Sequence, residues 1–315
     1  MQIVHAPRAS AIIYSLLVHQ GDENPWLMPA NICPIVPITF LKAGIPFQFV
    51  DISARTLHMD LDQAEQLVKS QKIGGVLYAH TYGEPSTPND FFESIKDMTP
   101  DLMIIDDRCL CIPDLEFNPA NKAYIQLYST GYAKIVDLGF GGYAFMSDGI
   151  NYRSAHLAFH LEDYEEMEKA YKAAVSQRAK FVYRESDWLE TDTTVPAWNE
   201  YCSQIEQAWR VSLEHRASLN EIYASRLPWE IQLPAAFQNW RFNIRVRDKQ
   251  RILDAIFSSG LFASSHYASL AGIMGEGEAR EAQALGDNVL NLFNDHHFSP
   301  DQAEQVCKII TENLA

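Results

Sequence analysis

The chain has 315 residues, enough for a large core and for two domains. Hydrophobic residues make up 47% of it and its net charge is −16, from 25 Lys and Arg against 41 Asp and Glu, so it is globular and acidic. This balance, with no basic run, argues against nucleic acid as a partner, and no apolar run approaches the ~20 residues of a membrane span. Met1-Gln2-Ile3-Val4-His5 lacks the charged-then-apolar form of a signal peptide. Five scattered cysteines, with Cys109-Leu110-Cys111 off any metal spacing, read as a reduced cytoplasmic protein without a metal site.

Residues 3–6 read as a short strand. Pro7-Arg8-Ala9-Ser10 then opens a helix with Ile12, Ile13, Leu16 and Leu17 at apolar positions. Small residues at a helix start offer N–H groups and the positive dipole end to an anion, and Ser10 adds a hydroxyl; an ordinary helix start is the alternative. Residues 26–29 and 47–51 are strands, separated by a helical run to Lys42 that Gly44 stops. Residues 60–71 form an amphipathic helix with Leu61, Ala64, Leu67 and Val68 inward. The strand 75–79 runs into His80-Thr81-Tyr82-Gly83, residues 91–98 are a helix, and the strand 102–105 ends at Asp106-Asp107. Strands that are apolar throughout and alternate with helices predict a mostly parallel sheet covered on both faces. Ligands of such sheets bind at the carboxyl ends of the strands, where His80, Asp107, Ser129 and Lys134 all fall.

The apolar run Tyr124-Ile125-Gln126-Leu127-Tyr128 leads through Ser129-Thr130-Gly131-Tyr132-Ala133 to Lys134. Gly139-Phe140-Gly141-Gly142 and another strand, 143–146, follow. A lysine held among small residues behind a buried strand loses charge readily, and its amine becomes a nucleophile suited to a Schiff base with a carbonyl or with pyridoxal phosphate (PLP). A surface lysine in a glycine-rich loop is the other reading. Asp107 stands about one βαβ unit earlier. It is either a solvated turn residue or an acid placed against the PLP ring nitrogen, which it would keep protonated.

Past residue 146 the pattern changes. Helices are predicted over 161–184, with Tyr164, Met167, Tyr171, Val175, Arg178 and Val182 at helical spacing, and over 200–226. Its acidic start reads as a solvated face. Pro228 and Pro234 mark a linker; strands at 242–246 and 289–293, helices at 249–258 and 299–313, and His266-Tyr267 on an exposed strand complete an α+β tail. The expected division is a large α/β domain over residues 1–200 and a small α+β domain over 201–315.

In this order the pieces resemble the DegT/DnrJ/StrS-type nucleotide-sugar aminotransferases, which are fold-type-I PLP-dependent enzymes. The family's Ser-Gly-Thr-Ala-Ala-Leu resembles residues 8–13, its Pro-Ala-x-Thr-Cys/Trp resembles Pro29-Ala30-Asn31-Ile32-Cys33, and its acid after the next strand matches Asp51. Its His-x-Tyr-Gly is His80-Thr81-Tyr82-Gly83, and its Glu-Asp-Ala-Ala-His/Gln resembles Asp106-Asp107-Arg108-Cys109-Leu110. Its Ser-x-x-x-x-Lys and Gly-x-Gly-Gly are Ser129 to Lys134 and Gly139 to Gly142, and its His-Tyr-Pro strand resembles His266-Tyr267. The likeness spans most of the chain. It departs at Arg8-Ala9, at Leu110, and at the start, where family members carry several dozen further residues and this chain reads as N-terminally shortened.

The resemblance implies Lys134 as the Schiff-base lysine and Asp107 as the acid on the pyridine nitrogen. It implies Ser10, the amides of Ala9 and Ala11, and Ser129 on the phosphate, and Cys33 near the ring face. It further implies a homodimer that aminates a keto group, plausibly on a nucleotide-linked sugar of polysaccharide biosynthesis, with glutamate as donor. A PLP enzyme for another small substrate, and a non-catalytic PLP-binding relic, are the alternatives.

Overall fold

The computed structural model describes residues 1–21 and 23–314. The strands are β1 (Gln2–Ala6), β2 (Trp26–Pro29), β3 (Phe47–Val50), β4 (Gly75–Ala79), β5 (Met103–Asp107), β6 (Ile125–Ser129), β7 (Gly142–Met146), β8 (Phe242–Arg245), β9 (Ala263–Ser264) and β10 (Val289–Leu292). The α-helices are α1 (Ala9–Gln20), α2 (Ile35–Ala43), α3 (Leu61–Ser70), α4 (Asn89–Met98), α5 (Leu161–Gln177), α6 (Trp198–Arg226), α7 (Lys249–Ser258), α8 (Arg280–Asn288) and α9 (Pro300–Glu312).

A seven-stranded sheet has the order β1-β7-β6-β5-β4-β2-β3. The pairings from β3 through β2, β4 and β5 to β6 are parallel, while β7 is antiparallel to both β6 and β1. Successive residues of one strand feed opposite faces, as the pleat requires. Leu27, Val76, Tyr78 and Ile104 pack with Ala64 and Val68 of α3 and Phe92 and Ile95 of α4. Their neighbours Met28, Leu77 and Ile105 pack on the other side, with Ile12 and Leu16 of α1 and Val36 and Phe40 of α2. Burial on both faces is why these strands are apolar at nearly every position. A second, antiparallel sheet, β8-β10-β9, packs against Leu219 and Tyr223 of α6, Ile252 and Ile256 of α7, and Val306 and Ile310 of α9. No helix among the described residues is long and apolar enough to cross a membrane.

Two expectations are corrected and one helix is added. The helix predicted over 161–184 ends at Gln177, where Arg178 takes a left-handed φ of 50°; Val182 lies beyond it, 72% exposed. His266-Tyr267 is not on a strand but follows β9, and Tyr267 lies against the Trp240 ring. A further helix, α8, starts at Arg280, and its first N–H groups are accepted by Asp51: Glu281 N–H at 3.0 Å and Ala282 N–H at 2.9 Å. Asp51 therefore supplies across the chain the cap that α8 lacks from its own sequence.

The carboxyl ends of β4 and β5 are braced by a buried ionic cluster. Asp106 is fully buried; Oδ1 accepts from His80 Nε2 at 2.7 Å, and Oδ2 accepts from Asn121 at 2.6 Å and from Arg108 Nη1 at 3.2 Å. Burial would keep the His80 ring neutral, but Cys111 and the Asp106 carboxylate outweigh it and hold its pKa well above the usual value. His58 donates from Nε2 to Glu84 at 2.8 Å while its Nδ1 accepts the Thr81 N–H at 3.2 Å. Burial would raise the Glu84 pKa; the hydrogen bonds from His58 and Ser86 override it and hold that carboxyl at about 2.

Asp106→Ala leaves two cationic side chains buried beside no acid, and should cost about 3–5 kcal/mol in urea unfolding. Glu84 titrates in the opposite sense to a buried free acid. Its depressed pKa means its contribution is complete above its ordinary 4.5 and is lost as pH falls toward about 2. The stability margin of the wild type over Glu84→Gln, followed by urea melts across that range, should shrink accordingly.

Candidate active site

Asp107 ends β5 one residue after Asp106, so its side chain leaves on the opposite face of the sheet, the side of Ile105 and α1. Its Oδ1 accepts the Cys109 N–H at 3.0 Å. Burial and then the Asp107 carboxylate push the Cys109 thiol well above its usual pKa, while Lys134 pulls it down and Cys33 adds to the rise. Four side chains from three separate loops thus share one electrostatic neighbourhood. Tyr267 joins them: burial, then Cys33 and Asp107, push its phenol up, and Arg241 opposes them. His266 keeps contact with solvent; the protein around it, then Arg241, Lys134 and Lys172, push its pKa down to about 4. The Trp240 ring lies parallel to both Tyr82, at 6.4 Å and 4°, and Tyr267, at 6.2 Å and 11°.

The start of α1 forms the other half of the site. This helix has no side-chain cap at its N-terminus. Gly141 and Gly142 bring the beginning of β7 against it: a Cβ on Gly142 would lie 2.3 Å from the Ala9 nitrogen. Of the amides read as phosphate donors, Ala11 N–H already donates to Arg8 O at 3.1 Å and Ala9 packs on Gly142. That leaves the Ser10 amide and hydroxyl at the helix start. Ser129 Oγ donates to Gly141 O and accepts from Gly131 N–H, both at 3.3 Å. A Cβ on Gly131 would meet Ser129 Oγ at 3.5 Å and Arg8 Nη1 at 3.7 Å, so both groups flank Gly131. Arg8 also donates to Glu190 Oε2 at 3.0 Å and to Gly139 O at 3.1 Å.

A separate cavity of about 600 Å³ lies between the chain around Arg245 to Arg251 and α8. It is lined by both signs of charge, including Arg245, Asp248 and Glu281, and includes neither Lys134 nor Asp107.

No protein-family model matches the chain, and no curated protein matches it. Solved structures do. A DegT DnrJ EryC1 StrS aminotransferase from Brucella abortus is 12% identical over 100% of this chain and 86% of its own, with a TM-score of 0.69. DesI in the presence of its TDP-sugar product is 14% identical over 98% of this chain and 80% of its own, at 0.73. NtdA from Bacillus subtilis, with bound cofactor PMP, is 18% identical over 99% of this chain and 74% of its own, at 0.69. The fold is therefore that of the fold-type-I PLP-dependent transferases, as the resemblance implied.

The residues present fit a pyridine ring carrying a phosphate. An uncapped helix start, a glycine-lined approach that a Cβ would fill, two hydroxyls and a guanidinium make an anion cradle. The buried Asp107 carboxylate leaves β5 on the side of α1, and the Lys134 amine opposes it in acting on the Cys109 thiol. Asp107 and Ser129 end β5 and β6, Ser10 lies in the first turn of α1, Lys134 in the turn after β6 and Cys33 between β2 and α2. Arg8, Glu190 and Trp240 were passed over: Arg8 stands where a small residue was expected, and Glu190 and Trp240 come from distant loops without local periodicity.

If the cradle takes a phosphate, Glu190→Gln should release Arg8 and remove a nearby negative charge. PLP binding, followed by quenching of tryptophan fluorescence at low salt, should tighten about twofold to fivefold, with the gain fading as salt is added. Unchanged or weaker binding would place Arg8 outside the cradle.

Proposed function

We propose that this protein is a PLP-dependent aminotransferase that moves an amino group from glutamate to a keto group, plausibly of a nucleotide-linked sugar. The observation that carries this reading is that Asp107 leaves β5 on the side of α1, whose start has no side-chain cap, with Ser129 at the end of the neighbouring β6 and Lys134 in the turn that follows it. Two of the structures similar in fold are described with a TDP-sugar product or with PMP bound, which supports the substrate class and the cofactor. PLP, when bound, supplies an electron sink for charge developing at the substrate's α-carbon.

The chain's own residues have distinct tasks in this reading. Ser10, through its hydroxyl and its amide at the helix start, and Ser129 hold the phosphate, and Arg8 balances its charge. Asp107 holds a proton at the ring nitrogen, and its burial away from bulk water keeps that pair from being screened. Cys33 lies against the ring. Lys134 would hold the ring through its amine and would serve as the general acid and base for the proton at the substrate's α-carbon. Residues 1–200 form the large domain and 201–315 the small one. The protein works as a cytoplasmic homodimer; the large apolar side chains of Phe159, Leu161, Val182 and Val211 stand exposed and support an apolar contact between copies.

Borohydride reduction of the protein mixed with PLP should leave the cofactor attached at Lys134, and not at Lys122 or Lys180. Lys134→Ala should lose the attachment and the half-reaction with glutamate while retaining PLP through the phosphate cradle. Asp107→Ala should retain the attachment but lose turnover by about 10²-fold or more, the scale of a positioned proton partner. An adduct on another lysine, or full turnover in Lys134→Ala, would overturn the assignment.

A further inference from the structure

Three consecutive carbonyl oxygens around Lys134 each accept a hydrogen bond from a side chain outside the seven-stranded sheet. Trp240 Nε1 donates to Ala133 O at 2.7 Å, Arg216 Nη2 to Lys134 O at 3.0 Å, and Ser212 Oγ to Ile135 O. Ser212 and Arg216 are four residues apart on α6 and so share a face, and Arg216 Nε donates to Ser212 Oγ at 3.1 Å. The second arm of the guanidinium reaches onward: Nη1 donates to Trp240 O and to Asn294 Oδ1, each at 2.5 Å. Trp240 lies just before β8 and Asn294 just after β10. One side chain therefore ties the backbone of Lys134 to the end of the small sheet where the start of β8 meets the end of β10.

The turn needs such support. Residues 130–141 have no regular secondary structure, and Ala133 holds a left-handed φ of 59°, a conformation a non-glycine residue keeps only where its surroundings dictate it. Within the turn, Asp137 accepts the Ala133 N–H at 2.7 Å and Thr130 O accepts the Leu138 N–H at 2.8 Å, but the carbonyls of residues 133 to 135 point to other elements. Arg216 is 4% exposed, so its hydrogen bonds are made where water does not compete for them.

We infer that Arg216, Ser212 and Trp240 are positioning residues that set the aim of the Lys134 amine from the small sheet, so that the lysine's placement follows the seating of that sheet. This rests on the reading of Lys134 as the reacting amine, but the clamp itself can be tested without cofactor. Trp240→Phe keeps a smaller aromatic ring between Tyr82 and Tyr267 and removes the N–H donor; Ser212→Ala removes only the hydroxyl; Arg216→Lys keeps the charge without the two-armed reach.

In protein without PLP, hydrogen–deuterium exchange of amides 133–138 should speed up about tenfold in Trp240→Phe and in Ser212→Ala, with β5 and β6 unchanged. With PLP, the borohydride-trapped adduct at Lys134 should accumulate more slowly in the same variants. The half-reaction with glutamate should lose rate with little change in the concentration of glutamate that half-saturates it. Arg216→Lys should recover part of what Arg216→Met loses; if Arg216→Met does not fold, the other two variants decide. Exchange that stays at the wild-type rate in 133–138, or rises equally in β5 and β6, would overturn the clamp. A wild type that forms no adduct at Lys134 would overturn the proposed function instead, and the exchange result would still decide the clamp.

Discussion

The site depends on one backbone contact, the seating of Gly142 on Ala9. Any side chain at 142 would collide with the first nitrogen and Cα of α1, at 2.3 and 2.5 Å. That contact lets β7 lie between β1 and β6 while α1 begins directly over the sheet. It also places Ser129, at the end of β6, opposite Gly142 in register. The helix start, the serine and the turn that carries Lys134 are thereby brought together by the packing of two small residues and not by a dedicated binding loop. Gly141 acts in the same way on the other flank, where a Cβ would strike the Tyr201 hydroxyl of α6 at 2.1 Å.

The small sheet is tied to the irregular chain around Trp240 by buried side-chain amides. Asn291 on β10 donates to Asn243 on β8 at 2.7 Å and accepts the His266 N–H at 2.6 Å. Asn243 in turn donates to the carbonyls of Phe237 and Arg241 at 2.5 and 2.9 Å, and Gln238 donates to those of Leu233 and Asn243 at 2.8 and 3.0 Å. Each buried side-chain amide thus pairs with a backbone group that the irregular chain around Trp240 would otherwise leave unpaired. A network of this kind is directional, so it holds Trp240 and His266 in one orientation where an apolar contact would tolerate sliding.

Much of the large sheet was legible from local pattern. The strands at 26–29 and 75–79 and the helix at 249–258 fall where they were read, because burial on both faces makes a parallel strand apolar throughout and because glycine and proline bound each run. What was not legible depended on partners far along the chain. α8 contains small residues and takes its cap from Asp51, 229 positions before its own first residue. The end of α5 at Arg178 is set by tertiary context, since its apolar spacing continues to Val182. At the site, Ser129 and Lys134 announced themselves by the strand before them and the glycines after, and Asp107 by its strand end. Arg216 gave no such signal: a charged residue within a long, mixed helix reads as a solvated face, and only the fold reveals that it is buried among carbonyls.

The pair Asp106-Asp107 shows how strand parity assigns chemistry. The two carboxylates are adjacent in sequence and both are buried, yet the pleat sends them to opposite sides. Asp106 meets His80, Arg108 and Asn121 on the side of α3 and α4, where its charge is spent on structure. Asp107 meets Cys109 and the field of Lys134 on the side of α1, where its charge remains available to a ligand. A slip of one residue in the register of β5 would exchange these environments, leaving the cluster at β4 without its acid or with the wrong geometry. The ionic cluster on one face therefore does more than stabilise the sheet: by demanding an acid at 106, it fixes the register that delivers the acid at 107 to the opposite face.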